Sequence, residues 1–270
     1  MQYYLNGFRP GDPLDSRENQ DPVDMPPLVD LPDAVDVLIV GCGPAGLVLA
    51  AQLARFPDIS TRILEQKAGP LMMGQADGIS GRSIEIFQAF GFAERVQKEA
   101  HFLEAITFWR HDSERPENIV RATKKADGRN VFSEFNHVVL NQARVHHFLL
   151  DAMQKAPAQL VPDYCRQLVD LEIGDSEDDY PVRVTVERTD EEHEGEKETL
   201  TARYVVGCDG ARSSVRRLLG FEMRGDSANK AWGVMDLLLV TDIPEIRNKS
   251  IVQSANEGTV LIIPREGGHL

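Results

Sequence analysis

The stretch Asp36-Val37-Leu38-Ile39-Val40-Gly41-Cys42-Gly43-Pro44-Ala45-Gly46 decides the fold. A short apolar strand runs into G-x-G-x-x-G. Behind it, Ala45 to Phe56 carries Leu47, Leu49, Ala50, Leu53 and Ala54, a helix apolar on most sides and so expected to pack on a sheet. A second strand, Thr61-Arg62-Ile63-Leu64, closes on Glu65, 19 residues after Gly46. Strand, glycine turn, helix, strand and acid in that order mark a βαβ dinucleotide site. Gly41 permits the tight turn off the strand, Gly43 lets the backbone approach a pyrophosphate, and Gly46 lets the helix lie close to the sheet. The helix start, with Pro44 and Ala45, offers unpaired N–H groups and a positive dipole end to phosphate. Glu65 is placed to accept hydrogen bonds from a ribose. A glycine-rich turn alone would leave a ligand-free reading open, but here every part of the unit is present.

Working outward, residues 1–35 hold prolines at 10, 13, 22, 26, 27 and 32 among many acids, which predicts an extended arm. Its aromatic tip (Tyr3, Tyr4, Phe8) either docks on a partner subunit or is a solvated tail. Past the βαβ unit, Arg82–Phe90 has helical spacing with Gly91 as its stop. Ala105–Arg110 and Asn136–Leu140 read as strands, and Asn141 caps a predicted helix over Gln142–Gln154. Val182–Glu187 and Thr199–Val206 alternate with period two around an acidic tip, a predicted antiparallel hairpin. Tyr204-Val205-Val206 then enters Gly207-Cys208-Asp209-Gly210-Ala211-Arg212-Ser213, with a helix over Val215–Leu219. In isolation this is an Asp-Gly turn. Beside the first fingerprint it reads as a second phosphate- or ribose-contacting turn, with Asp209 and Gly210 at its centre. Trp232–Val240, Ser250–Val252 and Thr259–Pro264 are three strand-like runs suited to a second sheet, and an end so soon after a strand suggests a fragment. The expected class is α/β (α+β overall). The domains are an arm over 1–35, a nucleotide-binding domain over 36–225 with an inserted sheet segment at about 102–140, and the truncated start of a substrate domain over 226–270.

Composition narrows the function. The formal net charge is −14, from 29 basic and 43 acidic residues, so a nucleic-acid backbone is an unfavourable partner. An anionic substrate must be drawn by local cations. Cys42, Cys165 and Cys208 make no C-x-x-C, and the seven histidines make no H-x-x-x-H. A reducing cytosol, no disulfides and no metal site are expected. No signal peptide is read at the N-terminus, and no stretch approaches the ~20 apolar residues that span a bilayer. Cys42 and Cys208 read as small residues that fit glycine turns, and His146-His147 as surface and packing positions.

Four blocks carry a family resemblance: Gly41–Gly46, Gly74-Gln75-Ala76-Asp77-Gly78-Ile79, Gly207–Ser213, and Ile262-Ile263-Pro264-Arg265-Glu266-Gly267-Gly268-His269, together with the opening Leu5–Pro10. Together they resemble the flavin-dependent aromatic hydroxylases with a single dinucleotide fold, in the phenol 2-monooxygenase branch. Within it the resemblance is greatest to the enzymes acting on 3-hydroxybenzoate. The resemblance implies a Rossmann-like FAD-binding domain and part of a β-sheet substrate domain. FAD would lie on Gly41, Gly43, Pro44, Ala45 and Gly46, with Glu65, Gln66 and Lys67 at the ribose. Gly74, Gln75, Ala76 and Gln142 would lie along the flavin, and Asp209-Gly210 would be shared between FAD and NADPH. The family's later Gly-Asp motif, a tyrosine after the Pro-Arg-Glu-Gly block and a thioredoxin-like domain fall outside these 270 residues, so only part of the flavin site is expected here.

The implied reaction uses NADPH and O₂ to convert 3-hydroxybenzoate to 3,4-dihydroxybenzoate in a cytoplasmic protein that dimerises at full length. A phenolate pushes electron density into its ring, and a phenol ionises only near pH ~10, so a positioned base is useful. Asp77 matches the family's active-site aspartate in that role, although alone it reads as an Asp-Gly turn residue. Arg265 would stabilise negative charge. His137 and Lys249 match positions that hold the substrate carboxylate; alone they read as a core histidine and a solvated lysine. The alternatives are a phenol 2-monooxygenase acting on an uncharged phenol, which needs no carboxylate anchor, and a non-catalytic dinucleotide-binding fragment.

Overall fold

In the computed structural model, described residues are 29–266 apart from Met73, Gln75, 127–132, Ser176, Ser227, Asn229, Asp236, Leu238 and Leu239. Most of the predicted arm, the Leu5–Pro10 block, Gln75 and Gly267–His269 lie outside the described residues. In chain order the elements are β1 (Ala34–Val40), α1 (Pro44–Leu53), β2 (Thr61–Leu64), β3 (Gly78–Ile79), α2 (Gly81–Ala89), α3 (Ala93–Glu99), β4 (His101–Phe102), β5 (Ala105–His111), β6 (Ile119–Ala126), β7 (Val138–Val139), α4 (Gln142–Lys155), β8 (Arg166–Ile173), β9 (Val182–Arg188), β10 (Lys197–Gly207), α5 (Ser214–Leu218), β11 (Lys249–Gln253) and β12 (Thr259–Ile262). The described chain falls into two units, 29–71 with 146–231 and 72–145 with 232–266.

The first unit is built on a five-stranded sheet of order β2-β1-β10-β9-β8. β1 is parallel to both β2 and β10, and its Val35, Leu38 and Ile39 have no exposed surface. That is why β1 reads as a nearly continuous apolar run: a central parallel strand is covered on both faces. β9 and β10 form the predicted hairpin, antiparallel from Val182↔Ala202 to Glu187↔Lys197. β8 extends the meander with a register shift between Leu168 and Asp170. Val35, Leu38, Val40, Leu64, Leu168, Val184, Val186, Leu200, Ala202 and Val215 form its core.

The register fixes the business end of this sheet. Val40 lies level with Leu64 on one side and with Gly207 on the other. Gly41, Glu65 and Cys208 therefore leave three neighbouring strands at one edge, the carboxyl ends where open α/β sheets bind ligands.

The second unit holds two sheets. One is four-stranded, β12-β11-β5-β6, and the other is a small β3-β7-β4. α2 is N-capped by Ser80, which accepts from the Ser83 N–H. α3 follows it, and its Glu99 is buried against Arg144 of α4, with Nε–Oε2 at 2.5 Å and Nη2–Oε1 at 2.7 Å. Asn141 caps α4 as predicted, its Oδ1 accepting from the Ala143 N–H at 2.8 Å.

Three readings need correction. The strand predicted over Asn136–Leu140 shrinks to Val138–Val139, because β3 and β4 are each only two residues long and offer no further ladder. The run Trp232–Val240 contains no strand among its described residues, and Trp232, Val234, Met235 and Val240 stand exposed. Apolar content alone does not supply a pairing partner. His146 and His147, expected at surface and packing positions, are both buried, so the packing half of that reading holds and the surface half does not. His146 Nε2 accepts from the Leu71 N–H at 3.4 Å. Burial first, and the Lys67 charge second, push its imidazole down to about 4, so it is neutral at physiological pH.

Candidate functional site

The nucleotide end of the site follows from three backbone constraints. Gly41 has φ +103°, and a Cβ there would lie 2.6 Å from the Cys208 carbonyl oxygen and 2.8 Å from Asp209 Cα. Only glycine takes this turn without strain. The Cys208 N–H donates to the Val40 carbonyl at 2.7 Å, which stitches the two glycine turns together. A Cβ on Gly46 would overlap the Gly41 carbonyl oxygen, so α1 crosses the turn at closest approach. Gly43 is different: it is extended at φ −75°, ψ −179°, and no atom of the described residues lies within 4 Å of its Cβ position.

Gly43 is also the N-cap of α1, with no side-chain cap, Pro44 opening the helix and no acid in the first turn. The first N–H groups of such a helix lack intrahelical partners, and Pro44 has none to leave unpaired. Open space over Gly43 and uncapped donors behind it fit a pyrophosphate.

Glu65 is held from every side. Its N–H donates to the Asp163 carbonyl at 2.9 Å, and its carbonyl accepts from the Arg166 N–H at 3.0 Å. Its Oε2 accepts from the Cys42 N–H and its Oε1 from the Lys67 N–H, each at 3.0 Å. A carboxylate has about four acceptor positions, so two remain for ribose hydroxyls. Gln66 and Lys67 are exposed, and the Gln66 carbonyl accepts from the Thr189 hydroxyl at 2.9 Å.

The second turn repeats the arrangement. Asp209 Oδ2 accepts from the Ser214 and Val215 N–H groups at 2.6 and 3.2 Å and so caps α5. Its Oδ1 is buried without a partner among the described residues, an acceptor a ligand hydroxyl would satisfy. Gly210 has φ +78°.

The thiolate form is disfavoured at both cysteines in these turns. Burial first, then Glu65, pushes the Cys42 thiol far above the ordinary range, and burial then Asp209 raises Cys208. A protonated thiol is a poor nucleophile. Sequence reading missed Tyr164, whose buried hydroxyl has no hydrogen-bond partner among the described residues and whose ionisation is opposed first by burial, then by Cys42 and Glu65. It also missed Asp163, which pairs with Arg62 across β2, Nε–Oδ2 at 2.7 Å. Neither belongs to a local motif that would have flagged it.

The other unit gathers the candidate chemistry. A Cβ on Gly74 would meet Gln142 Cβ at 2.7 Å and its backbone nitrogen at 2.9 Å, so Gly74 lies directly on the start of α4. Ala76 is exposed. The Asp77 carbonyl accepts from the Leu140 N–H at 2.9 Å, continuing the β3–β7 ladder. That ladder sets Asp77 opposite Leu140 and brings the His137 ring against Gly78, where a Cβ would lie 3.2 Å from Nε2. Arg265, 188 residues further along the chain, donates from Nη1 to Asp77 Oδ2 at 2.8 Å. Lys249 begins β11 opposite Ile106 and is half-buried, with no acid at ion-pair distance among the described residues. Of the predicted residues, then, Asp77, Arg265 and Gly74–Gln142 are in contact, and His137 lies one residue from Asp77 in space.

A glycine turn, an uncapped helix start and two acids at level strand ends define a dinucleotide-binding fold. Residues 34–270 match the family described as the FAD binding domain, and the chain belongs to it. It is 55% identical to the 3-hydroxybenzoate 4-monooxygenase of Comamonas testosteroni over all 270 residues, which cover 42% of that protein. It is 32% identical over 234 residues to phenol 2-monooxygenase fsqG of Aspergillus fumigatus, covering 87% of this chain and 37% of the relative. The chain thus spans less than half the length of these relatives. Among solved structures, the flavin-dependent monooxygenase PieE with FAD and substrate superposes with TM-score 0.60 at 27% identity, over 73% of this chain and 34% of that one. Aklavinone-11 hydroxylase with FAD and aklavinone gives 0.56 at 25%, over 70% and 36%. No helix among the described residues is long and apolar enough to cross a membrane.

Proposed function

We propose that this chain is the FAD- and substrate-binding part of an aromatic monooxygenase that uses NADPH and O₂ to hydroxylate 3-hydroxybenzoate to 3,4-dihydroxybenzoate. The observation that carries the reading is the meeting of Asp77 and Arg265 beside His137. It is joined by 55% identity to an enzyme named for that reaction. When bound, FAD supplies electron transfer from NADPH and the activation of O₂. The chain's own residues do the rest. Gly43 and the α1 start hold the pyrophosphate, Glu65 the ribose, and Asp209 a further hydroxyl or NADPH. Gly74, Ala76 and Gln142 line the flavin. Asp77 accepts the phenolic proton, Arg265 stabilises the resulting charge, and His137 and Lys249 hold the carboxylate. Lys249 suits that anchor because no acid among the described residues lies at ion-pair distance from it. The implied homodimer and cytoplasmic location are part of the same proposal.

The test is the visible spectrum of the natural-length protein before and after 3-hydroxybenzoate. A flavin spectrum perturbed by 3-hydroxybenzoate and not by phenol is expected. A flavin spectrum perturbed only by phenol shifts the reading to a phenol 2-monooxygenase. No flavin, even after adding FAD, overturns it. In the same protein Lys249→Met is expected to raise KM for 3-hydroxybenzoate about tenfold or more while leaving FAD content unchanged, since a charged hydrogen bond contributes about 1.5–3 kcal/mol. An unchanged KM removes Lys249 as the anchor.

A further inference from the structure

Both Asp77 and Glu266 hold Arg265. Its Nη1 meets Asp77, while its Nε and Nη2 both donate to the carboxylate of Glu266, each at 3.3 Å. The Glu266 side chain is only 4% exposed. A guanidinium presents its donors as a rigid fork, so a carboxylate on the Nε/Nη2 edge fixes the plane and the direction in which Nη1 points. We propose that Glu266 is a positioning residue for the hydroxylation site, acting through Arg265 on Asp77. The proposal rests on the reading of Asp77 as the proton acceptor.

The electrostatics run in the same direction. Arg265 stays charged under all ordinary conditions. Facing Asp77 alone, it would hold that carboxylate strongly ionised and make it a poor base. Glu266 offsets part of the positive charge, leaving Asp77 more basic while its orientation is kept. Among the described residues, titratable groups beside this triad include His137, against Gly78, and His101 of β4, on which the Glu266 charge acts. His101 hydrogen-bonds the Arg247 carbonyl at 3.0 Å, and burial, its largest influence, pushes its imidazole down, with Glu266 among the opposing charges. Burial thus works against the charged form of His101.

The experiment compares natural-length, FAD-loaded wild type with Glu266→Gln and Glu266→Asp, measuring kcat and KM for 3-hydroxybenzoate, the pH profile of kcat/KM, FAD content and Tm. Glu266→Gln is expected to lower kcat about tenfold, with KM and FAD content within about twofold. The acid limb of its profile should move down by about one pH unit, because Asp77 then faces the guanidinium without the Glu266 charge beside it. Glu266→Asp, which restores the charge, is expected to recover the position of the limb. An unmoved limb and unchanged kcat in Glu266→Gln overturn the proposal. So does a parallel loss of Tm and FAD in both variants without a shift of the limb, which marks a structural residue. The wild-type control separates this from failure of the underlying reading: if wild type hydroxylates no phenol, the assignment of Asp77 falls first.

Discussion

Gly46→Ala is expected to cost the protein about 3 kcal/mol of stability and most of its FAD, whereas Gly43→Ala is expected to leave the fold nearly intact and weaken FAD alone. The two glycines sit three residues apart in one motif and look alike in sequence. Their surroundings do not. A methyl group on Gly46 falls on the Gly41 carbonyl oxygen, with Gly41 C at 3.2 Å and Cys208 Cβ at 3.3 Å behind it. The first two belong to backbone, which cannot swing aside as a side chain can. α1 must lift off the sheet, and overpacking of this kind typically costs 1–3 kcal/mol or more. That is a large share of the roughly 5–15 kcal/mol by which a domain is stable. A methyl group on Gly43 meets no atom of the described residues within 4 Å, and its extended backbone suits alanine. Losing glycine from the N-cap should cost no more than about 1 kcal/mol. The open volume is what a pyrophosphate would use, so affinity for FAD should fall about tenfold or more, with 1.4 kcal/mol for each factor of ten. Urea unfolding of the FAD-free protein and FAD titration separate the two effects. Wild-type stability in Gly46→Ala would refute the close helix crossing. Unaltered FAD binding in Gly43→Ala would refute the placement of the pyrophosphate.

The nucleotide end was legible in the sequence because its constraints are local. Gly41, Gly43, Gly46 and Glu65 lie in one βαβ unit, and the level strand ends follow once Leu38-Ile39-Val40 and Ile63-Leu64 are read as neighbouring parallel strands. The hairpin of β9 and β10 was legible from its period-two alternation. The second turn was ambiguous by itself, since Asp-Gly occurs in many loops. It gains meaning from the pairing of β10 with β1, which no local pattern announces.

The other unit was less legible for the same reason turned round. Asp77 and Arg265 meet across 188 residues, and only the family resemblance linked them. β6 was missed because all eight of its residues are exposed, so Ile119–Ala126 has no alternation of buried and solvated faces to betray a strand. Its lysines and arginine suit a sheet edge, where charge discourages pairing with other chains. Trp232–Val240 erred in the opposite direction, because an apolar run says that burial is favourable but not what covers it. The surface half of the reading of His146 and His147 failed because α4 is buried on nearly every side from Ala143 to Leu149, and a helix buried all round has no polar face to which two histidines can be assigned.

Asp77→Asn is expected to lower ring hydroxylation by about 10²–10⁴-fold, the usual contribution of a positioned general base. The substitution keeps the shape of the side chain and an oxygen for the Arg265 Nη1 contact, now 2.8 Å, so FAD content and Tm should hold. What it removes is the ability to take a proton. For a phenol that ionises near pH ~10, only about one molecule in a hundred is phenolate at pH 8. Wild type does not depend on that fraction if Asp77 accepts the proton as the ring reacts. The variant does depend on it, and its rate should climb nearly tenfold per pH unit toward ~10. The ratio of wild type to variant must therefore narrow as pH rises. A ratio that stays constant from pH 7 to 9 would show that Asp77 orients the ring and takes no proton. Arg265 sharpens the distinction. If Asp77 served only to neutralise the guanidinium, removing both charges in Asp77→Asn with Arg265→Met should restore much of the lost rate. If Asp77 is the base, the double variant stays as slow as Asp77→Asn or slower, because nothing in it replaces the lost acceptor.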